Sequence, residues 1–114
     1  MFHGRVSREV IYIEYQKAAS ELVKKYNLTS EAFPRFADLV SEVGELGKEM
    51  LETSDYGAAE VVTSDDLAME FGDVIFSLAA LANVLSVDMD AAFAAAVGKY
   101  ERRFEEKGQI GSHI

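Results

Sequence analysis

The sequence predicts an all-α protein, an antiparallel bundle of four helices. Three observations favour this fold class. Hydrophobic residues recur at helical spacing in four segments of the chain. The 114 residues include one proline and many alanine, glutamate and leucine residues, which favour helices. The connections between the segments are short, which is typical of antiparallel helical neighbours. At this length we expect one domain over residues 1–114, with a core from about 5 to 108.

The first two helices have recognisable start signals. Ser7 can cap the first helix, which we expect to run to about Tyr26. Ser30 can cap the second, which we expect over about 33–52, because Pro34 is tolerated only in a first helical turn. Each helix has an apolar stripe that predicts its buried face. In the second helix the stripe consists of Phe36, Leu39, Val40, Val43, Leu46 and Met50.

The third predicted helix is apolar almost all round. It begins after Ser64, a favourable N-cap residue, and ends near Ser86. A helix of this kind is usually buried, so we assign Phe71 and Phe76 to the core or to an interface between subunits. Its main stripe consists of Leu67, Phe71, Val74, Leu78, Leu81 and Leu85.

The fourth helix follows after a very short connection. Asp88 is its predicted N-cap, the helix runs from about Met89 to Lys107, and Gly108 is a natural stop. Its apolar stripe consists of Phe93, Val97, Tyr100 and Phe104. The third helix has more apolar surface than three neighbours in so small a domain can cover. We therefore expect a homodimer or a tetramer.

The composition limits the function classes. A net charge of −9 argues against binding nucleic acid through a basic face. The absence of cysteine excludes disulfides and thiolate metal sites. The first residues lack the apolar segment of a signal peptide, and every helix but the third is amphipathic with abundant charge. We therefore expect a cytoplasmic protein that binds neither nucleic acid nor a membrane.

Two acidic pairs carry the candidate chemistry. Glu42 and Glu45 lie one turn apart on the second helix, and Glu70 and Asp73 do so on the third. The second pair lies in an apolar segment without lysine or arginine, where unpaired carboxylates are costly. Packed side by side, the two helices would place four carboxylates around one space. Such hard oxygen ligands suit Mg²⁺ or Mn²⁺. Glu49 shares the face of the first pair.

These motifs resemble a known family. The segments SEVGEL at 41–46 and EFGDVI at 70–75 are similar to the Glu-x-x-Glu and Glu-x-x-Asp helices of the MazG-type all-α nucleoside triphosphate pyrophosphohydrolases. That superfamily includes dCTP pyrophosphatases, dimeric dUTPases and phosphoribosyl-ATP pyrophosphohydrolase. The turn at 87–90 and the segment KYERRF at 99–104 also resemble the family. The resemblance covers about residues 37–107.

The resemblance implies a function and a set of site residues. The reaction would be a magnesium-dependent cleavage between the α and β phosphates of a nucleoside triphosphate, which releases the monophosphate and pyrophosphate, as in house-cleaning of the nucleotide pool. The implied metal ligands are Glu42, Glu45, Glu70 and Asp73, of which Glu42 and Glu45 are also the implied catalytic residues. The implied phosphate contacts are Lys99, Arg102 and Arg103.

Two departures and several alternatives stay open. Ser41 stands where many members have a glutamate, so the group that activates water is open, and the lack of tryptophan leaves the base preference open. Lys99 and Arg103 could instead form surface salt bridges with the glutamates of their own helix. A phosphoribosyl-ATP pyrophosphohydrolase-like activity and a non-catalytic helical oligomerisation module are the alternative functions. A ferritin-like di-iron site is disfavoured, because His3 and His113 lie outside the predicted helices.

Overall fold

The computed structural model describes residues 14–107, which form four α-helices and no strand. The helices are α1 (Tyr15–Lys25), α2 (Ala32–Thr53), α3 (Asp65–Val84) and α4 (Met89–Lys107). This confirms the predicted all-α fold class and the four segments. The predicted cap Ser7 and the predicted stop Gly108 lie outside the described residues.

Of the three predicted N-caps that lie within the described residues, two are confirmed. The Ser64 hydroxyl accepts a hydrogen bond from the Leu67 N–H at 3.0 Å, and Asp88 Oδ1 accepts one from the Ala91 N–H at 3.1 Å. The prediction of Ser30 as the cap of α2 was wrong by one residue. Glu31 occupies the N-cap position without a side-chain hydrogen bond to the helix. The Glu31 N–H donates to the Thr29 hydroxyl at 3.3 Å, and the N-cap position is one residue later than predicted.

The helix α3 is the centre of the packing, and it contacts both α2 and α1. Glu42 lies beside Asp73, and Asp38 lies beside Ser77. The numbers fall along α2 as they rise along α3, so the two helices are antiparallel, as predicted. Small residues of α3 and α1 are buried where the helices approach each other: Ala19, Ser77, Ala79, Ala80 and Ala82.

The turn between α3 and α4 is fixed by Gln16 of α1. The Gln16 side-chain amide donates to Asn83 Oδ1 at 3.0 Å and to the Val87 carbonyl at 2.6 Å, and its oxygen accepts the Met89 N–H at 2.7 Å. In return, Asn83 Nδ2 donates to the Gln16 carbonyl at 2.8 Å. One glutamine therefore joins the start of α1 to the end of α3 and the beginning of α4.

Much of the predicted core is exposed within a single chain. The helix α4 buries no residue, and Phe93 on its stripe is 72% exposed. On α2 only Leu39 and Leu46 of the predicted stripe are half-buried, while the other four stripe residues are exposed. Phe71 on α3 is 53% exposed. The helical periodicity identified apolar faces correctly, but one chain of this size does not supply enough neighbours to cover them.

By length and composition alone, α3 is also apolar enough to cross a membrane, with 28% of its most apolar window buried inside the protein. The core helix of a soluble protein passes the same test, so the property is weak evidence by itself. The buried Ser77 hydroxyl and the half-buried Asn83 amide of α3 both bond to neighbouring helices.

Candidate metal centre

Three of the four predicted metal ligands come together between α2 and α3. Glu42, Glu70 and Asp73 each offer a carboxylate oxygen, and these oxygens all lie within 4.8 Å of one another. All three side chains are half-buried. Glu70 and Asp73 are adjacent because they lie one turn apart on α3, whereas Glu42 is brought to them only by the packing of α2 against α3.

The electrostatics of the cluster are unfavourable without a cation. Partial removal from water raises the pKa of the Glu42 carboxyl above its ordinary value, and the negative charges of Asp73, Asp38 and Glu45 raise it further. The pKa of Glu70 is also raised, first by loss of hydration and then by the charge of Asp73 and those of the glutamates on α2. Both shifts have the sign that mutual repulsion and partial burial produce in clustered carboxyl groups.

The fourth predicted ligand, Glu45, lies at the margin of the cluster. Its side chain is exposed, one turn from Glu42 on the same helix. Its charge nevertheless acts on both Glu42 and Glu70, and the charge of Glu49 also acts on Glu70. Glu45 and Glu49 therefore add to the negative potential of the cluster, while the oxygens that converge are those of Glu42, Glu70 and Asp73.

The donor set fits a hard divalent cation. Mg²⁺ takes oxygen ligands at about 2.0–2.1 Å, so two ligands on opposite sides of one ion are about 4.2 Å apart. Only one pair among three ligands can lie on opposite sides of an octahedral ion, and neighbouring ligands lie about 2.9 Å apart. The oxygens of Glu42, Glu70 and Asp73 lie within 4.8 Å of one another, so rotations of these side chains would bring all three to one ion. Glutamate and aspartate side chains have the rotational freedom for such a movement.

The predicted phosphate contacts lie on α4, away from the principal packing. Lys99, Arg102 and Arg103 are exposed, and none of them pairs with a carboxylate in the range 14–107. Lys99 instead lies over the ring of Tyr100, with its ammonium 4.7 Å from the ring centre. Within one chain the structure does not bring these cations into the acidic cluster, which lies between α2 and α3.

A polar network next to the cluster was not predicted from the sequence. The Ser77 hydroxyl donates to Asp38 Oδ2 at 2.7 Å, and Arg35 Nη2 lies 3.5 Å from the same oxygen. Arg35, Asp38 and Glu42 lie at helical spacing along one face of α2, a polar line that could have been read from the sequence. Ser77, by contrast, follows Phe76 in an apolar run and gives no such signal.

Five aromatic residues of the sequence are candidates for stacking a nucleotide base: Tyr12, Tyr15, Tyr26, Phe33 and Tyr56. Tyr15 lines an open cavity of about 1180 Å³ between α1, α3 and the start of α4. The side chains of Tyr26, Phe33 and Tyr56 are exposed in three other parts of the chain, and Tyr12 lies outside the described residues. The structure therefore does not assemble these rings into one stacking site within a single chain.

The comparison with protein families agrees with this architecture. The family model described as the MazG nucleotide pyrophosphohydrolase domain matches residues 35–107. That range includes both acidic pairs and the cations of α4, and it covers well over half of the chain. No curated protein and no solved structure matches the chain. With its four helices and its carboxylate cluster between α2 and α3, the chain belongs to the MazG nucleotide pyrophosphohydrolase domain family.

Proposed function

We propose that this protein hydrolyses a nucleoside triphosphate or deoxynucleoside triphosphate to the monophosphate and pyrophosphate, with Mg²⁺ as the required ion and Mn²⁺ as a substitute. The family supports nucleotide pyrophosphohydrolase activity in general. The observation that carries the metal requirement is the convergence of Glu42, Glu70 and Asp73 oxygens within 4.8 Å. A role in removing unwanted nucleotides from the cytoplasmic pool fits such an activity.

The proposed ligands are Glu42, Glu45, Glu70 and Asp73. Bare carboxylates would repel a triphosphate, and a bound cation neutralises this repulsion and stabilises the charge that develops on the phosphates. The half-buried acids Glu42, Glu70 and Asp73 hold the ion between α2 and α3. Glu45, the exposed member of the ligand set, is also the proposed general base, because its carboxylate can accept a proton from the water that attacks the phosphoanhydride. Ser41 is exposed and has no basic group to offer for this step.

We further propose that the active unit is a homodimer or a tetramer. The apolar faces of α2, α3 and α4 are exposed in one chain, and a second copy of the chain would cover them. In that assembly α4 of one copy could place Lys99, Arg102 and Arg103 beside the acidic cluster of its partner. These cations would then bind the triphosphate oxygens that the metal does not neutralise.

The decisive experiment is pyrophosphate release from a panel of nucleotides, including phosphoribosyl-ATP, with and without Mg²⁺. The proposal predicts metal-dependent release from at least one ribo- or deoxyribonucleoside triphosphate. Cleavage of phosphoribosyl-ATP alone would favour the alternative substrate class. No release from any substrate would reject the proposed activity.

A second candidate function is a non-catalytic helical oligomerisation module, which the exposed apolar faces favour. The two functions differ in their response to variants of α4. Replacement of Lys99 or Arg103 by alanine should raise KM for the nucleotide if the cations contact phosphate, and should leave subunit association unchanged. An oligomerisation module would show neither nucleotide hydrolysis nor this effect.

We also propose that the protein works in the cytoplasm, without nucleic acid or membrane partners.

A further inference from the structure

A second cavity lies beyond the acidic cluster, between α1, the N-terminal end of α2 and the last turns of α3. Its volume is about 350 Å³, at the lower end of the range for small-molecule sites. The polar side chains that line it are Ser20, Lys24, Thr29, Ser30, Arg35 and Asn83. No aspartate or glutamate lines this cavity. Its two charged side chains, Lys24 and Arg35, are both positive.

Arg35 is the unusual member of this set. It is only 8% exposed, and its Nη2 atom lies 3.5 Å from Asp38 Oδ2. Its Nε and Nη1 atoms are buried and have no hydrogen-bond partner in the part of the chain that the structure describes. A guanidinium group has five N–H donors, and buried charged donors without acceptors are destabilising. Arg35 lines the cavity with two of its donor nitrogens unpartnered among residues 14–107, so a ligand that brings acceptor oxygens would satisfy them.

The surroundings of Arg35 favour an anion as the source of these acceptors. The cavity lies at the positive end of α2, whose first turn has no acidic residue and whose N-cap Glu31 makes no side-chain cap. Three of the nearby carbonyl oxygens at the end of α1 each accept a backbone hydrogen bond. Backbone N–H groups of the turn that follows donate to the carbonyls of Leu22, Val23 and Lys24.

We propose that this cavity binds a small oxyanion, a phosphate or a carboxylate group, with Arg35 as the principal donor and Lys24 as the second charge. The edge formed by Nη1 and Nη2 presents two parallel N–H groups, which match two oxygens of such a group, while the second N–H of Nη2 stays available to Asp38. Ser20, Thr29 and Ser30 offer hydroxyl donors around it.

The anion site is distinct from the metal centre. Arg35 precedes Glu42 by seven residues on α2, which places the two about 10 Å apart along the helix axis. On α3, Ala80 of the cavity follows Asp73 of the cluster by the same seven residues. The anion has two potential sources at this distance. It is either a free metabolite or a phosphate of a nucleotide whose other phosphates lie at the metal centre.

The direct test follows the Arg35 Nε–H resonance by nuclear magnetic resonance, with the full chain in phosphate-free buffer without Mg²⁺. Titration with inorganic phosphate, and separately with acetate, should shift this resonance in a saturable manner. In a separate titration, a non-hydrolysable nucleoside triphosphate analogue is added with Mg²⁺. A response to phosphate or acetate identifies a site for free anions, and a response to the analogue alone identifies a substrate subsite. No response in any titration would overturn the proposal.

A second test uses variants of the neighbouring lysines and leaves the buried Arg35 in place. Lys24→Gln should weaken anion binding on the order of tenfold, because one charge-assisted contact is lost. Lys25→Gln is the matched control, since Lys25 is the neighbouring exposed cation and does not line the cavity. Equal affinities of both variants would mean that the anion responds to general charge, which would refute the site. Because these titrations measure binding and not hydrolysis, they test the anion site separately from the proposed activity.

Discussion

Ser77 of α3 donates a 2.7 Å hydrogen bond to the Asp38 carboxylate of α2, and this bond lies between the proposed metal centre and the proposed anion site. Arg35 approaches the same Asp38 oxygen on one side, and the charge of Asp38 raises the pKa of Glu42 on the other. We expect this hydrogen bond to help hold α2 against α3, and with it the distance from Glu42 to Glu70 and Asp73.

We predict that Ser77→Ala destabilises the protein by about 1–2 kcal/mol, because a buried donor to a carboxylate is removed at little change in volume. Urea unfolding measures the change. Ser20→Ala is the control. Ser20 is a half-buried residue of α1 whose hydroxyl group makes no hydrogen bond within residues 14–107, so its replacement should have a smaller effect. Equal stability of Ser77→Ala and the wild type would show that the bond does not hold the helices in register.

We predict that Asp73→Asn lowers pyrophosphate release on the order of 100-fold, because the amide keeps the shape of the side chain but removes an anionic ligand from the ion. The matched control is Asp55→Asn. Asp55 is exposed in the turn after α2 at a φ of 52°, a conformation that asparagine also adopts readily. Full activity of Asp73→Asn would remove this residue from the metal centre.

The stability of the metal-free protein should fall as the pH rises through the titration of Glu42 and Glu70. Both pKa values are raised in the folded state above the ordinary 4.5, so the folded state binds more protons than the unfolded state in that window. The free energy of unfolding therefore decreases with pH from about 4.5 upward until both groups are ionised. Thermal unfolding across this range, without Mg²⁺, measures the slope.

The same reasoning predicts the effect of removing one charge. Glu42→Gln should raise the melting temperature of the metal-free protein at neutral pH, since it removes repulsion, and should flatten the pH dependence. Addition of Mg²⁺ should stabilise the wild type more than this variant. Glu21→Gln, at an exposed position of α1, serves as the control. A lower melting temperature for Glu42→Gln without metal would contradict the account of the cluster.

We predict that the wild type has a mass of at least twice the 12.6 kDa of one chain when measured by light scattering. Phe93→Ser should weaken this association, because the α4 stripe would lose its largest exposed aromatic contact. Tyr56→Ser is the control, as Tyr56 is exposed in the turn after α2 and lies outside the helix faces. A monomeric wild type at micromolar concentration would refute the assembly.

The helices were predictable because their signals are local. The caps Ser64 and Asp88 lie within three residues of the N–H groups they bind, and the position of Pro34 in the first turn of α2 follows from its ring. The acidic pairs were also readable, since i, i+3 spacing puts two side chains on one face of any helix. The Ser30 cap failed because a shift of one residue depends on the local turn, which Thr29 helps to fix.

The sequence by itself determined four helices, their apolar faces and the two acidic pairs, because each depends on residues less than two helical turns apart. The tertiary structure decided which of these features meet. It brought Glu42 to Glu70 and Asp73 while leaving Glu45 at the margin. It also left the α4 stripe largely exposed and left Nε and Nη1 of Arg35 without a hydrogen-bond partner among residues 14–107. These relationships depend on the rotation and register of whole helices against one another. Rotation and register are determined by contacts between residues that are distant in the sequence, such as Ser77 and Asp38, and these contacts form only when the helices pack.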